Sequence, residues 1–341
     1  MKSQRILVLM HETLVPPVKL TGYSQQQIDE FRTEYDVVTQ LKASGHEVRS
    51  LGLGDNLAEL TTVLGEWRPH VAFNLAEEFQ GQVSYDQHVV SFLELMRQPY
   101  TGCNPRGLLL SRDKSLAKQI LSFHGIPTPR FARFAKGQRV VLPDGLAYPL
   151  FVKSENDDAS FGISQASIVN DPLKLKQRIE FIHQQTGSAA LVEEFIAGRE
   201  LYVAVIGNQR LETYPIWEMD FGTADKDGAA VATRKAKWDR SYRSRHGIGS
   251  RLAEDLAPAL KAHISAIARQ VCKVLSVTGY ARIDFRLRAD GSVFVLEANA
   301  NPCLSAHEDF AQSARAAGED YGSLLTHIVR LAKSYRAAWR G

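Results

Sequence analysis

The chain reads as an α/β protein, α+β in parts, and three observations predict that class. Apolar strands alternate with amphipathic helices over roughly the first third, strands with longer loops take over from Tyr148, and one C-terminal segment folds on paper into a β-hairpin. In order, Arg5 to Met10 (RILVLM) has the pattern of a short buried strand. Gln25 to Ser44 is helical and ends at Gly45. His46 to Leu51 and Val71 to Leu75 add two strands, giving the βαβ rhythm of a parallel sheet. Ser111 to His124 reads as a helix, with Gly125 as its C-terminal cap and Pro127 beyond. Then come the strands YPLFVKS, AALVEEFIAG, LYVAVIG and LETYPIW. Glu254 to Ser276 is a long helix with Leu256, Leu260, Ile264, Ile267, Val271 and Val274 on one face.

At 341 residues the chain has room for two or three packed domains, since single cores seldom grow past about 250 to 300 residues. A net charge of +3 gives no global argument for nucleic acid or membrane binding. Cys103, Cys272 and Cys303 are an odd number without CxxC spacing, which argues against a disulfide scaffold or a zinc site. The start has too short an apolar core for a signal peptide, and nowhere do about 18 apolar residues run together. The expected setting is the cytoplasm. No GxxxxGK[ST], GxSxG or HExxH occurs, and Gly52-Leu53-Gly54 lacks the third glycine of a dinucleotide fingerprint and reads as a plain loop.

The hairpin carries the sharpest chemistry. Asp290-Gly291 suits a two-residue type I′ turn, which would pair Leu287 with Phe294, Phe285 with Leu296 and Ile283 with Ala298 on an apolar face. On the other face Asp284 then opposes Glu297, and Arg282 opposes Asn299. Like charges across a strand pair repel, and Asp, Glu and an amide oxygen are hard ligands, so Mg²⁺ is the simplest relief. The alternative is a solvated face whose carboxylates are neutralised by Arg282 and Arg286.

Two lysines suggest a phosphate site. Lys153 ends an apolar strand and precedes the polar loop SENDDASFG, and Lys114 lies in the first turn of the helix that starts near Ser111, where outward N–H groups favour anions. Each alone also reads as a solvated surface charge. In LVEEFIAGRE, Phe195 and Ile196 could flank a flat base while Glu193 or Glu200 accepts hydrogen bonds; taken alone the segment is an edge strand with solvated acids.

Lys114 in RDKSLAKQIL, Lys153 with its Ser160 to Gly162 loop, VEEFIAGREL, RIDF and LEANANP resemble, in order and spacing, the ATP-grasp superfamily. YTGCNPRGLLLSRDK followed by GIPTPRF is similar to its D-alanine–D-alanine ligase branch. The resemblance spans nearly the whole chain. It implies an ATP-grasp fold of three domains, about 1–110, 111–200 and 201–341, with a parallel N-terminal sheet and two antiparallel sheets clamping ATP. It implies Lys114 and Lys153 on the phosphates, Glu193, Glu194, Phe195 and Ile196 around adenine, and Glu200 on ribose. Asp284, Glu297 and Asn299 would hold two Mg²⁺ ions, or Mn²⁺ in their place. The catalytic set would be Arg282 on the acylphosphate and oxyanion, Lys237 near the γ-phosphate, and Ser160 in a lid loop, Ser154 to Gly162, that excludes water. The expected activity is carbon–nitrogen ligation of a small carboxylate to a small amine, with no membrane partner; a homodimer agrees with the habit of relatives.

Several positions depart from the branch. The relatives' first-loop Glu, which holds the amino group of the first substrate, falls at Val15 in MHETLVPP, leaving Glu12 as a substitute. A lid serine and a substrate-loop tyrosine of the relatives are replaced by Ala159 and Trp238. Their Ser-Leu pair, which holds the second carboxylate, is Glu308 and Asp309 here; two acids would repel a carboxylate and favour a cation. Substrates other than D-alanine are therefore expected. The basic run Arg234 to Arg251, with Trp238 and Tyr242, has three readings: a solvated helix face, a grip on an anionic substrate or ATP, or a nucleic-acid contact, the last not the expected partner. A non-catalytic, nucleotide-responsive module of the same fold is the rival to a ligase.

Overall fold

The computed structural model describes residues 2–156, 163–224, 231–233, 236 and 239–340. In the first of three sheets β1 (Arg5–His11) lies between β2 (Glu47–Leu53) and β3 (Val71–Asn74), all parallel. Ile6 to Met10 are all buried, as a central parallel strand covered on both faces requires. The helix expected over Gln25 to Ser44 is two helices, Gln25–Glu30 and Arg32–Ala43. Phe31 separates them at φ −113° and ψ 20°, with its ring buried edge-on to Tyr23. Gly52 lies in β2 and not in a plain loop: a Cβ there would stand 2.7 Å from the Cα of Glu12, so its bare backbone admits the turn Glu12–Leu14.

The second sheet is antiparallel, in the order β4 (Phe131–Phe134), β7 (Ala190–Glu194), β5 (Leu150–Ser154) and β6 (Ile168–Val169). Its apolar face packs on Leu175, Ile179 and Ile182 of the helix Pro172–Thr186. The third is also antiparallel: β11 (Gly249–Leu252), β10 (Trp217–Asp220), β8 (Arg199–Gly207), β12 (Gly279–Leu287) and β13 (Val293–Ala300), with β9 (Leu211–Thr213) on β8. Ile264, Ile267, Ala268 and Val271 of the helix Pro258–Val274 share a core with Val203, Ile283, Phe285 and Val295 from one side of this sheet. On the other side Ala204, Ile206 and Tyr280 pack against Phe310 and Ala311, and Tyr202, Arg282, Asp284 and Arg286 form a polar patch beside them.

Ser111 does not begin a helix. It belongs to Pro105–Arg112, capped by Asn104, and Asp113 takes an extended conformation and caps a second helix, Lys114–Phe123, by accepting from the Leu116 N–H. Lys114 is thus the first helical residue, and Gly125 follows the C-cap as expected.

The hairpin corrects the expected turn and the pairs next to it, while preserving the expected pairs from Asp284 to Arg282. Its loop has three residues, Ala289, Asp290 and Gly291, between Arg288 and Ser292, and of the last two only Gly291 takes positive φ, +85°. Asp290 instead accepts from the Ser292 N–H at 2.9 Å. Leu287 therefore faces Val293, and Phe285 faces Val295, one residue off the expected partners. A bulge then restores the offset, so Asp284 opposes Glu297, Ile283 opposes Ala298 and Arg282 opposes Asn299. At the bulge, Val295 donates its N–H to the Pro127 carbonyl at 2.8 Å and accepts at its carbonyl from Thr128 Oγ1 at 2.9 Å.

Glu34, in the helix Arg32–Ala43, is 6 % exposed, and burial raises its carboxyl to about 7. Because the folded pKa lies above the unfolded one, the native state holds a proton that the unfolded chain releases, and stability falls as pH rises from about 4.5 to about 7. Glu34→Gln should remove that loss. Urea unfolding should show the variant gaining up to about 3 kcal/mol at pH 8 and much less at pH 5; equal effects at both values would refute the buried, proton-linked carboxyl.

Candidate active site

Alternate residues of three neighbouring strands build the floor of the site. The register sets Asp284 opposite both Tyr202 and Glu297, and Arg286 opposite Glu200. Arg282 grips Asp284 with two hydrogen bonds, Nε to Oδ1 at 2.8 Å and Nη2 to Oδ2 at 2.9 Å, and stacks over the Tyr202 ring at 4.6 Å. Its Nη1 lies 3.8 Å from Asp309. Burial disfavours the Arg282 charge, but Asp284 overcomes this and holds its pKa well above the usual value. Glu200 is buried and bonded on both oxygens, to Arg286 Nη2 and to the Tyr202 hydroxyl, each at 2.8 Å. Both arginines thus neutralise the face.

Facing this floor, the second sheet supplies a dry ionic cluster. Glu193, 2 % exposed, lies 2.8 Å from Lys118 Nζ through one oxygen and 3.1 Å from Lys153 Nζ through the other. Burial would raise the Glu193 carboxyl, yet the two lysines hold it below its usual value. Lys153 also approaches Glu297, at 3.9 Å, joining the cluster to the floor. Lys118 escaped the sequence reading. The signal was present, because a lysine on the same helix face as Ala117 and Leu121 has no water to enter, and the residue is 2 % exposed. Burial pushes its ammonium down to about 8, against the pull of Glu193.

Lys114 is buried at the start of its helix, its N–H directed to the Glu155 carbonyl at 3.4 Å. Glu194 ends β7 and pairs with Arg288 at 2.7 Å. Phe195, half-buried, and Ile196, buried, lie beyond the strand in the link to β8. Glu12 is exposed against Gly54 and does not line the cleft, so the structure does not bring the proposed substitute carboxylate to the site. Ser160, Ala159, Lys237 and Trp238 lie outside the described residues. Of the basic run, Arg251 is engaged by Glu218 and Asp220, while Arg243 faces the cleft.

The cleft has a volume of about 250 Å³. Arg282, Glu297, Asn299, Glu308 and Asp309 line it, as do Glu77, Asp86 and Arg112, which the sequence reading did not single out. Asp86 and Arg112 form a salt bridge across 26 residues, a pairing no local pattern announces. Glu308 precedes the helix Asp309–Ala316, and burial, then the Asp309 charge, raises its carboxyl.

Residues 120–330 match the family model for the D-Ala D-Ala ligase C-terminus. The chain belongs to the D-alanine–D-alanine ligase family. It is an ATP-grasp ligase, and its sheets are those of the ATP-grasp fold. An uncharacterised protein, y4sG, of Sinorhizobium fredii is 35 % identical over 304 residues, 87 % of this chain and 86 % of that one. A D-alanine–D-alanine ligase of Desulforudis audaxviator is 28 % identical, covering 93 % of this chain and 97 % of its own. The crystal structure of the Bacillus anthracis D-alanine–D-alanine ligase complexed with ATP superposes with a TM-score of 0.74 at 22 % identity, covering 97 % of this chain and 98 % of that one. Among the described residues of this family member, no helix is long and apolar enough to cross a membrane.

Glu297 and Asn299 line the ligase cleft, and Asp284 stands opposite Glu297 in the grip of Arg282; these are the hard oxygen donors that a divalent ion would use there. Among the described residues no three of His, Cys, Asp and Glu converge, so the amide is needed as a donor. Asn299 Nδ2 is buried without an acceptor.

Removing the Glu193 charge should expose the cost of the ionic cluster. Glu193→Leu leaves Lys118 and Lys153 buried without their shared counterion and should lower unfolding stability by about 3–5 kcal/mol in urea titrations. A loss below about 1 kcal/mol, the scale of surface pairs, would mean that water reaches the lysines.

Proposed function

We propose that this ligase joins a small carboxylate to a small amine through an acylphosphate, and that D-alanine is a poor substrate in both positions. One observation carries the substrate reading: Glu308 and Asp309 stand together on the cleft wall beside Arg282. An acceptor carboxylate entering there would meet two acids, whereas an ammonium would be paired. The acceptor is therefore an amine that lacks a carboxylate at that point or carries an additional positive group.

A free carboxylate is a poor acyl donor because its leaving group would be oxide. In the proposed reaction a carboxylate oxygen attacks the γ-phosphorus of ATP, the bond to the bridging oxygen breaks, and ADP leaves. The amine then attacks the acyl carbon, gives up a proton, and phosphate departs as the amide forms. Lys114 and Lys153 bind the phosphates, and Arg282 turns part of its fork from Asp284 to the developing oxyanion. Glu194, Phe195 and Ile196 border the base and Glu200 the ribose, while Glu193 serves the site as counterion to Lys153. Lys237 and Ser160 complete the proposed catalytic set. Divalent ions held by Asp284, Glu297 and Asn299 supply neutralisation of phosphate charge.

Two measurements test this. Glu297→Gln should cut phosphate release on the order of 100-fold or more with its melting temperature preserved; full activity would remove Glu297 from the site. A phosphate-release panel across carboxylates and amines should identify a pair that outperforms D-alanine. Glu308→Ser with Asp309→Leu should then slow turnover of that acceptor about tenfold, the scale of one lost charged contact. Rapid D-alanyl-D-alanine synthesis by the unmodified protein would overturn the substrate reading.

A further inference from the structure

Two ammonium groups share one carboxylate in the dry wall of the cleft, and their surroundings are unequal. Lys118 Nζ is fixed on two sides, 2.8 Å from Glu193 Oε1 and donating at 2.8 Å to Thr128 Oγ1. Thr128 in turn donates to the Val295 carbonyl, so the Lys118 ammonium is tied to the backbone of β13. Lys153 is held differently. Its ammonium lies 3.1 Å from Glu193 and 3.9 Å from Glu297, which lines the cleft. Of the two, Lys153 is the one whose ammonium reaches a cleft-lining residue, Glu297.

We propose that Lys118 is a positioning residue for nucleotide binding: it keeps Glu193 neutralised, so that Lys153 can turn its ammonium from Glu193 to the phosphates. The inference rests on the placement of Lys153 on phosphate above. With Lys118 in place, departure of Lys153 leaves Glu193 in its 2.8 Å ion pair. Without Lys118, the same movement strands a carboxylate away from water and charge, which is strongly unfavourable. Glu193 then competes with the nucleotide for Lys153. The predicted consequence of losing Lys118 is weaker ATP binding, although Lys118 itself touches no phosphate.

This differs from a structural plug because the harm depends on the Glu193 charge. Calorimetry of Mg²⁺·ATP binding should show affinity falling on the order of 10- to 100-fold in Lys118→Met, the equivalent of one charge-assisted contact. Adding Glu193→Gln to that variant removes the competing charge and should recover most of the loss, and Lys118→Arg alone should stay within a few-fold of the unmodified protein. Melting temperatures separate folding from binding. Unchanged affinity in a folded Lys118→Met variant, or no recovery in the double variant, overturns the inference. The double variant is expected to fold even if the single one does not, and ATP affinity more than 100-fold below the unmodified protein would then refute it. Failure of the unmodified protein to bind Mg²⁺·ATP would overturn the Lys153 assignment, and this inference with it.

Discussion

The two hydrogen bonds that Val295 exchanges with Pro127 and Thr128 hold the β13 bulge in place, and the site depends on that bulge. Side chains alternate faces along a strand, so a one-residue slip would send Glu297 and Asn299 into the apolar core and turn Ala298 toward the cleft. The three-residue loop introduces such a slip, and the bulge cancels it before Asp284 is reached. The same Thr128 hydroxyl receives the Lys118 ammonium. One residue thereby links the strand that carries Glu297 and Asn299 to the ionic cluster of the second sheet.

Around that scaffold the charges are arranged in neutralised sets: Arg282 on Asp284, Arg286 on Glu200, and Lys118 with Lys153 on Glu193. Buried pairs of this kind contribute little net stability, because desolvation offsets most of their attraction. Their effect is to fix positions. Preorganised charge also suits a reaction in which negative charge shifts among phosphate and acyl oxygens, since little reorganisation remains when it moves. Arg282 stands between two acids, Asp284 and Asp309, so its fork can change partners without leaving the floor.

Much of this was legible because it is local. The alternation of RIDF and LEANAN fixes which side chains share a face, and the Asp284–Glu297 and Arg282–Asn299 pairs stand as read. They stand through two compensating shifts, however, because Asp-Gly is also compatible with a longer loop in which only the glycine takes positive φ. The split at Asp113 was readable from Asn104-Pro105 and from Asp113 as a cap, whereas the expected start at Ser111 falls inside the first of the two helices. Asp86 with Arg112, and Lys118 with Glu193, join distant segments, and no spacing rule reveals such partners. Glu12 is the converse case: its place follows from filling a vacancy in a pattern, and the close approach allowed by Gly52 seats it over β2.

The two ends of the site place different demands on the sequence. At the proposed nucleotide end, ATP would fix the phosphate charge and the flat base, and the lysines, the hairpin acids and the link after β7 resemble a pattern that can be matched residue by residue. At the proposed acceptor end the requirement would be set by a molecule of unspecified charge, and there this chain carries acids at 308 and 309, with Glu77 on the same cleft. Burial makes those acids consequential. A carboxylate in water is screened and nearly indifferent to its neighbour, whereas Glu308 is half-buried beside Asp309, so an arriving cation would favour the ionised pair and an arriving anion would find no partner in it. Selectivity of this sort comes from what the wall opposes as much as from what it binds.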